Sequence, residues 1–120
     1  MAITSFGDDA KYRILLNGFK NEFDRVTLVN SLGAGATDAP IIVASTGWTV
    51  SGTTVYNTNT LVFDCSAGMK PYSAVVYISS FGVSSEIVIT LTDVPVGGYD
   101  FTTTGTFTIP AGDLVIGLSF

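Results

Sequence analysis

The side chains of this sequence best able to do chemistry are carboxylates. Asp64, Glu86, Asp93, Asp100 and Asp113 are the candidates. A pair of them brought together could serve as general acid and base, the device that cleaves glycosidic bonds. Asp93, Asp100 and Asp113 each border a Gly or Pro turn, however. There an Asp side chain bonds nearby backbone amides and tolerates unusual dihedrals, so it serves the turn rather than a substrate. Loop carboxylates and carbonyls can also hold calcium, but the spacing of an EF-hand loop is missing.

Other chemistries lack their parts. The chain has no histidine, which removes the commonest general base, metal ligand and triad member. Its single cysteine, Cys65, cannot form an internal disulfide and cannot anchor a tetrahedral zinc site, and no serine has an activating partner in view. A solitary thiol in such a chain is expected to be a small buried hydrophobe, in keeping with maturation in a reducing cytoplasm. Gly33, Gly35, Gly97 and Gly98 fall in turns with no helix following, unlike a loop that cradles phosphate. No catalytic residue, cofactor or metal is expected, and the chain reads as a non-enzyme.

Aromatic residues are the stronger lead. Trp48, Tyr56, Tyr72, Tyr77, Phe81 and Tyr99 lie at strand ends or in turns, and aromatic rings anchor interfaces because they offer large rigid contact areas at low entropic cost. Trp48 and Tyr77 also suit a core. Phe81, within SSFGVSS, is the hardest to bury and the first interface candidate; Trp48, Tyr56, Tyr12 and Phe19 join it.

These side chains must be held by elements that the pattern of residues defines. Tyr12, Leu15, Leu16, Phe19 and Phe23 recur at helical spacing, with Asp8 or Asp9 placed to cap the helix and Gly18 to end or interrupt it. This helix either closes one end of the domain or forms an arm that docks on a neighbour. After Arg25 the vocabulary changes to Thr, Val, Ile, aromatics and Gly; Gln is absent and Lys and Glu nearly so. Strands are predicted at 25–30, 41–45, 48–50, 54–56, 61–64, 73–80, 86–92, 106–110 and 114–120. Ile87, Ile89 and Leu91 share one face, as do Leu114, Ile116, Leu118 and Phe120. Turns are expected at Ser51–Gly52, Gly82–Ser85, Pro95–Gly98 and Pro110–Asp113, and 33–40 (GAGATDAP) as an exposed loop. Many short strands separated by such turns predict a mainly all-β fold: an antiparallel β-sandwich with a short N-terminal helix. One domain is expected, with a helical segment or arm at 1–24 and the sandwich at 25–120.

Composition narrows the function. Hydrophobic residues make up 47% and charged residues 12% of the 120, about half the usual charged fraction. So little charge leaves a monomer poorly protected against association, so oligomerisation or permanent docking is expected. Disordered chains show the opposite balance. No apolar run approaches a transmembrane span, and MAITSFGDD lacks the basic and apolar regions of a secretory signal. Charges within residues 1–25 cancel; beyond them Lys70 is the single cation against Asp38, Asp64, Glu86, Asp93, Asp100 and Asp113. That acidic body disfavours nucleic acid.

Two stretches, TGWTVSGTTVYNTNTLVF (Thr46–Phe63) and GTFTIPAGDLVIGLSF (Gly105–Phe120), resemble small virion proteins of tailed bacteriophages. The matching positions are Gly47, Trp48, Val55, Asn57 and Phe63, then Phe107, Ile109, Ala111, Gly112, Asp113, Leu114 and Ile116. The resemblance implies a short N-terminal helix followed by a β-sandwich, and service as a capsid cement or decoration protein or as a tail component. Between residues 79 and 86, where such relatives often carry an Asp-rich double-glycine hairpin, this chain has SSFGVSS. The expected role is therefore a capsid cement or decoration protein, a dimer or trimer made in the host cytoplasm and bound to the major capsid protein or another virion protein, without nucleic acid or membrane. Tail or fibre components and a carbohydrate-binding module using Trp48 or Tyr99 are the alternatives.

Overall fold

The apolar spacing of the N-terminal segment produces the helix it predicts. The computed structural model describes residues 6–92 and 97–118. Helix α1 (residues 8–22) starts as an α-helix at Asp8–Arg13, widens into a π-helical stretch at Ile14–Phe19 and closes with the α-helical turn Lys20–Glu22. Its N-cap is Gly7, with no side-chain cap, so neither Asp8 nor Asp9 is the capping residue. Both lie within the first turn, where their charges complement the positive end of the helix. Gly18 does not end the helix; it sits inside the π-helical stretch. Leu15 and Phe19 are buried, while Tyr12 stays at the surface.

The β-branched vocabulary yields nine strands among the described residues. They are β1 (Arg25–Val29), β2 (Ile41–Ile42), β3 (Trp48–Ser51), β4 (Thr54–Asn57), β5 (Leu61–Cys65), β6 (Ser73–Ile78), β7 (Gly82–Thr90), β8 (Gly105–Ile109) and β9 (Val115–Gly117). The fold is mainly β, antiparallel, with one short N-terminal helix, as the sequence predicts. No helix among the described residues is long and apolar enough to cross a membrane.

The chain forms two compact units interleaved in sequence. Unit 1 takes its described residues from 6–23, 43–61 and 109–118; unit 2 takes them from 24–42, 62–92 and 97–108.

In unit 1, β3, β4 and β9 form an antiparallel sheet in that order. Ser51 pairs with Thr54, so the hairpin loop is Gly52–Thr53, one residue later than expected. Gly52 adopts φ +57°, the conformation a tight hairpin demands at its first central position. The helix belongs to this unit. Phe19 meets Trp48 edge to face at 5.0 Å between ring centroids and stacks on Phe23 at 4.5 Å. The Trp48 indole N–H donates to the Phe23 carbonyl at 2.8 Å, satisfying a polar group that burial would otherwise penalise. Val55, Asn57 and Leu114 are buried with them.

In unit 2, a four-stranded sheet runs β2-β1-β6-β7, and β5 pairs with β8, all but their end residues Leu61 and Ile109 lying in this unit. Residues 73–76 of β6 are all buried, as a central strand covered on both faces requires. Along β7 and just beyond it, Ile87, Ile89 and Leu91 are partly covered while Glu86, Val88, Thr90 and Thr92 are exposed, the alternation expected from sequence. β7 begins at Gly82 rather than Glu86, because Ser79, Ser80 and Phe81 make the turn. The Ser85 hydroxyl takes the Ile78 amide at 2.8 Å and donates to the Gly82 carbonyl at 2.8 Å, which holds the shifted register there. The predicted strand at 41–45 shrinks to Ile41–Ile42, followed by a 3-10 turn at Ser45–Gly47. Segment 33–40 is not simply a loose loop: Ala36 is 1% exposed, its amide bonds the Leu28 carbonyl, and Gly35 bridges to Val29.

Candidate interaction surface

Asp64, Glu86, Asp100 and Asp113 are all exposed, and Asp93 lies outside the described residues. Asp64 contributes its backbone carbonyl to the Asp38 amide and the Thr37 hydroxyl. Asp100 stands 3.9 Å from the Lys70 ammonium, an exposed pair of little energetic weight. Among the described residues no three His, Cys, Asp or Glu side chains come together as a metal would require.

Asp24 and Cys65 titrate away from their ordinary values, and both serve structure. Asp24 accepts the Ser79 amide and the Ser79 hydroxyl, each at 2.8 Å. The amide bond, then the hydroxyl, hold its carboxyl below the usual range, with the nearby Arg25 guanidinium adding to them. This clamp fixes the start of the Ser79–Phe81 turn. Cys65 is 0% exposed; burial pushes its thiol upward and the negative charge of Asp38 adds to that. A thiol kept protonated is a poor nucleophile.

The five aromatic interface candidates separate. Phe19 and Trp48 come together, but inside: Trp48 is 1% exposed and holds unit 1 together. This corrects their assignment to a contact surface, and it removes Trp48 as a platform for stacking on a sugar. Large rings at a strand end and on a helix are drawn inward because burying them gains the most apolar area per residue. Tyr12 is exposed on α1, Tyr56 is half-covered on β4, and Phe81 is 65% exposed in the turn before β7.

Several apolar residues at the surface escaped the sequence reading. Leu32 and Ile42 in unit 2, Val62 on β5, Val88 on β7 and Val115 on β9 are exposed. The signal was available for three of them: Val62, Val88 and Val115 stand on the face of an alternating strand opposite its buried or half-buried residues. Among the described residues β7 is also an edge strand, with β6 on one side and no strand on the other. Tyr99 is 46% exposed and braced by Phe101 at 4.9 Å and Phe107 at 6.1 Å.

Residues of the stretches Thr46–Phe63 and Gly105–Phe120 meet within unit 1. Val55 on β4 pairs with Ile116 on β9. Buried Asn57 donates to the Asn59 and Pro110 carbonyls and accepts the Leu114 amide, while its own carbonyl takes the Gly112 amide. Comparison with protein-family models, curated proteins and solved structures yields no match for the chain.

Proposed function

We propose that this chain is a non-enzymatic structural protein of a tailed-phage virion, a cement or decoration protein that binds the capsid surface and its own copies. The observation that carries the reading is the set of apolar side chains its strands and turns hold at the surface, Ile42, Val62, Phe81, Val88 and Val115, on a chain with so little charge to keep neighbours away. Many modest contacts of this kind, repeated over a lattice, hold by multivalency rather than by one tight site. The resemblance in Thr46–Phe63 and Gly105–Phe120 supports the same reading. The test is co-sedimentation of purified protein with heads that lack it, followed by imaging of intact particles. Saturable binding to heads is expected; decoration of tails alone would move the protein to a tail or fibre role, and absence from particles would reject a virion role.

Tyr99 favours a second reading. A half-exposed ring braced from behind by Phe101 and Phe107 has the form of a platform for a sugar ring. Retardation in affinity electrophoresis through polysaccharide gels, abolished by Tyr99→Ala, would establish a carbohydrate-binding module in place of the cement role.

A further inference from the structure

We infer that the open edge of β7 is a homodimer interface, in which two copies pair antiparallel about a two-fold axis passing through Val88. The inference rests on the self-association half of the proposed function and not on the capsid assignment.

The direction of each backbone group along β7 follows from one hydrogen bond. The Leu91 amide donates to the Tyr72 carbonyl at 3.0 Å, in the same register as the Ser73↔Thr90 pair. In an antiparallel ladder, successive residues direct their amide and carbonyl alternately toward the partner strand and away from it. Ile87, Ile89 and Leu91 therefore address β6, Val88 and Thr90 present both backbone groups to the open side, and the Glu86 carbonyl, which points opposite to the Ile87 amide across their shared peptide plane, joins them. On β7 the register shift of this hairpin falls between Gly82 and Ile87, because Val76 pairs with Ile87 and Ile78 with Gly82; the ladder is regular from Ile87 to Thr90, and Glu86 borders its irregular end.

Edges of this kind recruit other strands unless something blunts them, usually brevity, Lys, Pro or a bulge. The opposite edge, β2, is two residues long and so is blunted. Residues 86–92, EIVITLT, contain no Lys or Pro, and Glu86 is their single charge. The side chains of Glu86, Val88 and Thr90 are exposed on the same face, Val88 to 55%.

Charge placement selects a second copy and sets its register. With the axis through Val88, that residue faces its own copy as a hydrogen-bonded pair and Glu86 faces Thr90 of the other chain on both sides, so the outward amides of Val88 and Thr90 meet the carbonyls of Val88 and Glu86 in the other copy. The two Glu86 carboxylates then stand about 13 Å apart along the strand direction. An axis through Glu86 would set them opposite each other at Cα atoms about 5.5 Å apart, where like charges repel. The two Val88 side chains cover each other. One strand pair is a small interface, which places the dimer among weak, concentration-dependent associations.

Cysteine scanning tests both the site and the register. Facing Cα atoms about 5.5 Å apart lie within disulfide range. Since Cys65 is fully buried, the native background serves and the unmodified chain is the control. With diamide as oxidant, Val88→Cys should give a covalent dimer, while Glu86→Cys and Thr90→Cys should cross-link when mixed but little when alone. Sedimentation equilibrium should show a reversible dimer that Val88→Lys weakens by about tenfold or more, with circular dichroism and Tm unchanged because the side chain is at the surface. A chain that stays monomeric up to millimolar concentration overturns the inference. So does a dimer that ignores Val88→Lys while Val88→Cys cross-links no faster than Thr104→Cys, at another exposed position. Capsid binding by a strictly monomeric chain would refute this interface and leave the cement role intact; a β7 dimer that ignores capsids would do the reverse.

Discussion

Replacing Asn57 with Ala should cost unit 1 roughly 3–5 kcal/mol, and the figure can be worked from its bonds. Asn57 is 0% exposed, and its amide group donates to the Asn59 carbonyl at 2.9 Å and the Pro110 carbonyl at 3.0 Å while accepting the Leu114 amide at 2.9 Å. Asn59 and Pro110 are exposed, so water can replace the lost partner and each bond forfeits its net worth of about 1 kcal/mol. Leu114 is 2% exposed, so its amide is stranded, a penalty of about 1–3 kcal/mol. Urea unfolding followed by the fluorescence of Trp48, the single tryptophan and a member of the same unit, reads the loss directly. The midpoint should fall with the slope unchanged. Asn57→Asp sharpens the test. A carboxylate can still accept from Leu114 but faces two carbonyl oxygens it cannot serve, so at pH 7 it should destabilise more than Ala. Burial and those oxygens raise the folded-state pKa of the new carboxyl above its unfolded value, so stability is retained below the unfolded pKa and lost as pH rises through the folded one. Its deficit relative to the native chain should therefore shrink between pH 7 and pH 4. A loss below about 1 kcal/mol for Asn57→Ala, or an aspartate variant insensitive to pH, would refute the claim that this side chain ties the Pro110–Leu114 turn to β4.

Three further outcomes follow from the structure. Because Asp24 titrates below its unfolded value, its contribution is present above the unfolded pKa of about 3.9 and disappears as pH falls through the lower folded value; NMR titration should place its carboxyl midpoint below that of a free aspartate, and Asp24→Asn should remove the acid-side loss of order at the Ser79 amide. Cys65 should not react with a thiol reagent until the protein unfolds, its modification rate tracking urea-induced opening, whereas fast labelling of the native chain would contradict its burial. Gly98→Ala should destabilise unit 2 sharply, since Gly98 has φ +111° and an added Cβ would stand 2.8 Å from the carbonyl oxygens of both Lys70 and Pro71; a Tm within a degree or two of the native value would show that this approach relaxes without cost.

Much of the strand layout was legible because its causes are local. Alternation at Ile87, Ile89 and Leu91 reappears as half-covered residues between exposed ones, and Leu114 and Ile116 share a face that Val115 leaves. The turn chemistry of Gly52 and of Pro110–Asp113 is local too: Gly112 takes φ +84° and the Asp113 amide returns to the Pro110 carbonyl. What was misplaced depended on distant partners. The turn before β7 is positioned by Asp24, fifty-five residues from Ser79, and no window of sequence contains both. Ala36 looked like loop because the groups that hold it, Leu28 and Cys65, come from other elements.

The same division runs through the candidate surface. Residue types alone determined that this chain is built of strands and is poor in charge, because backbone preference and alternation act over a few residues. Only the tertiary structure decided that Trp48 and Phe19 turn inward while Phe81 and Val88 stay outside, and that β7 lies at an edge of its sheet while β1 and β6 lie inside it. Strand order and burial are set by contacts between residues far apart in the chain, and a strand's own sequence reads much the same at the centre of a sheet as at its edge.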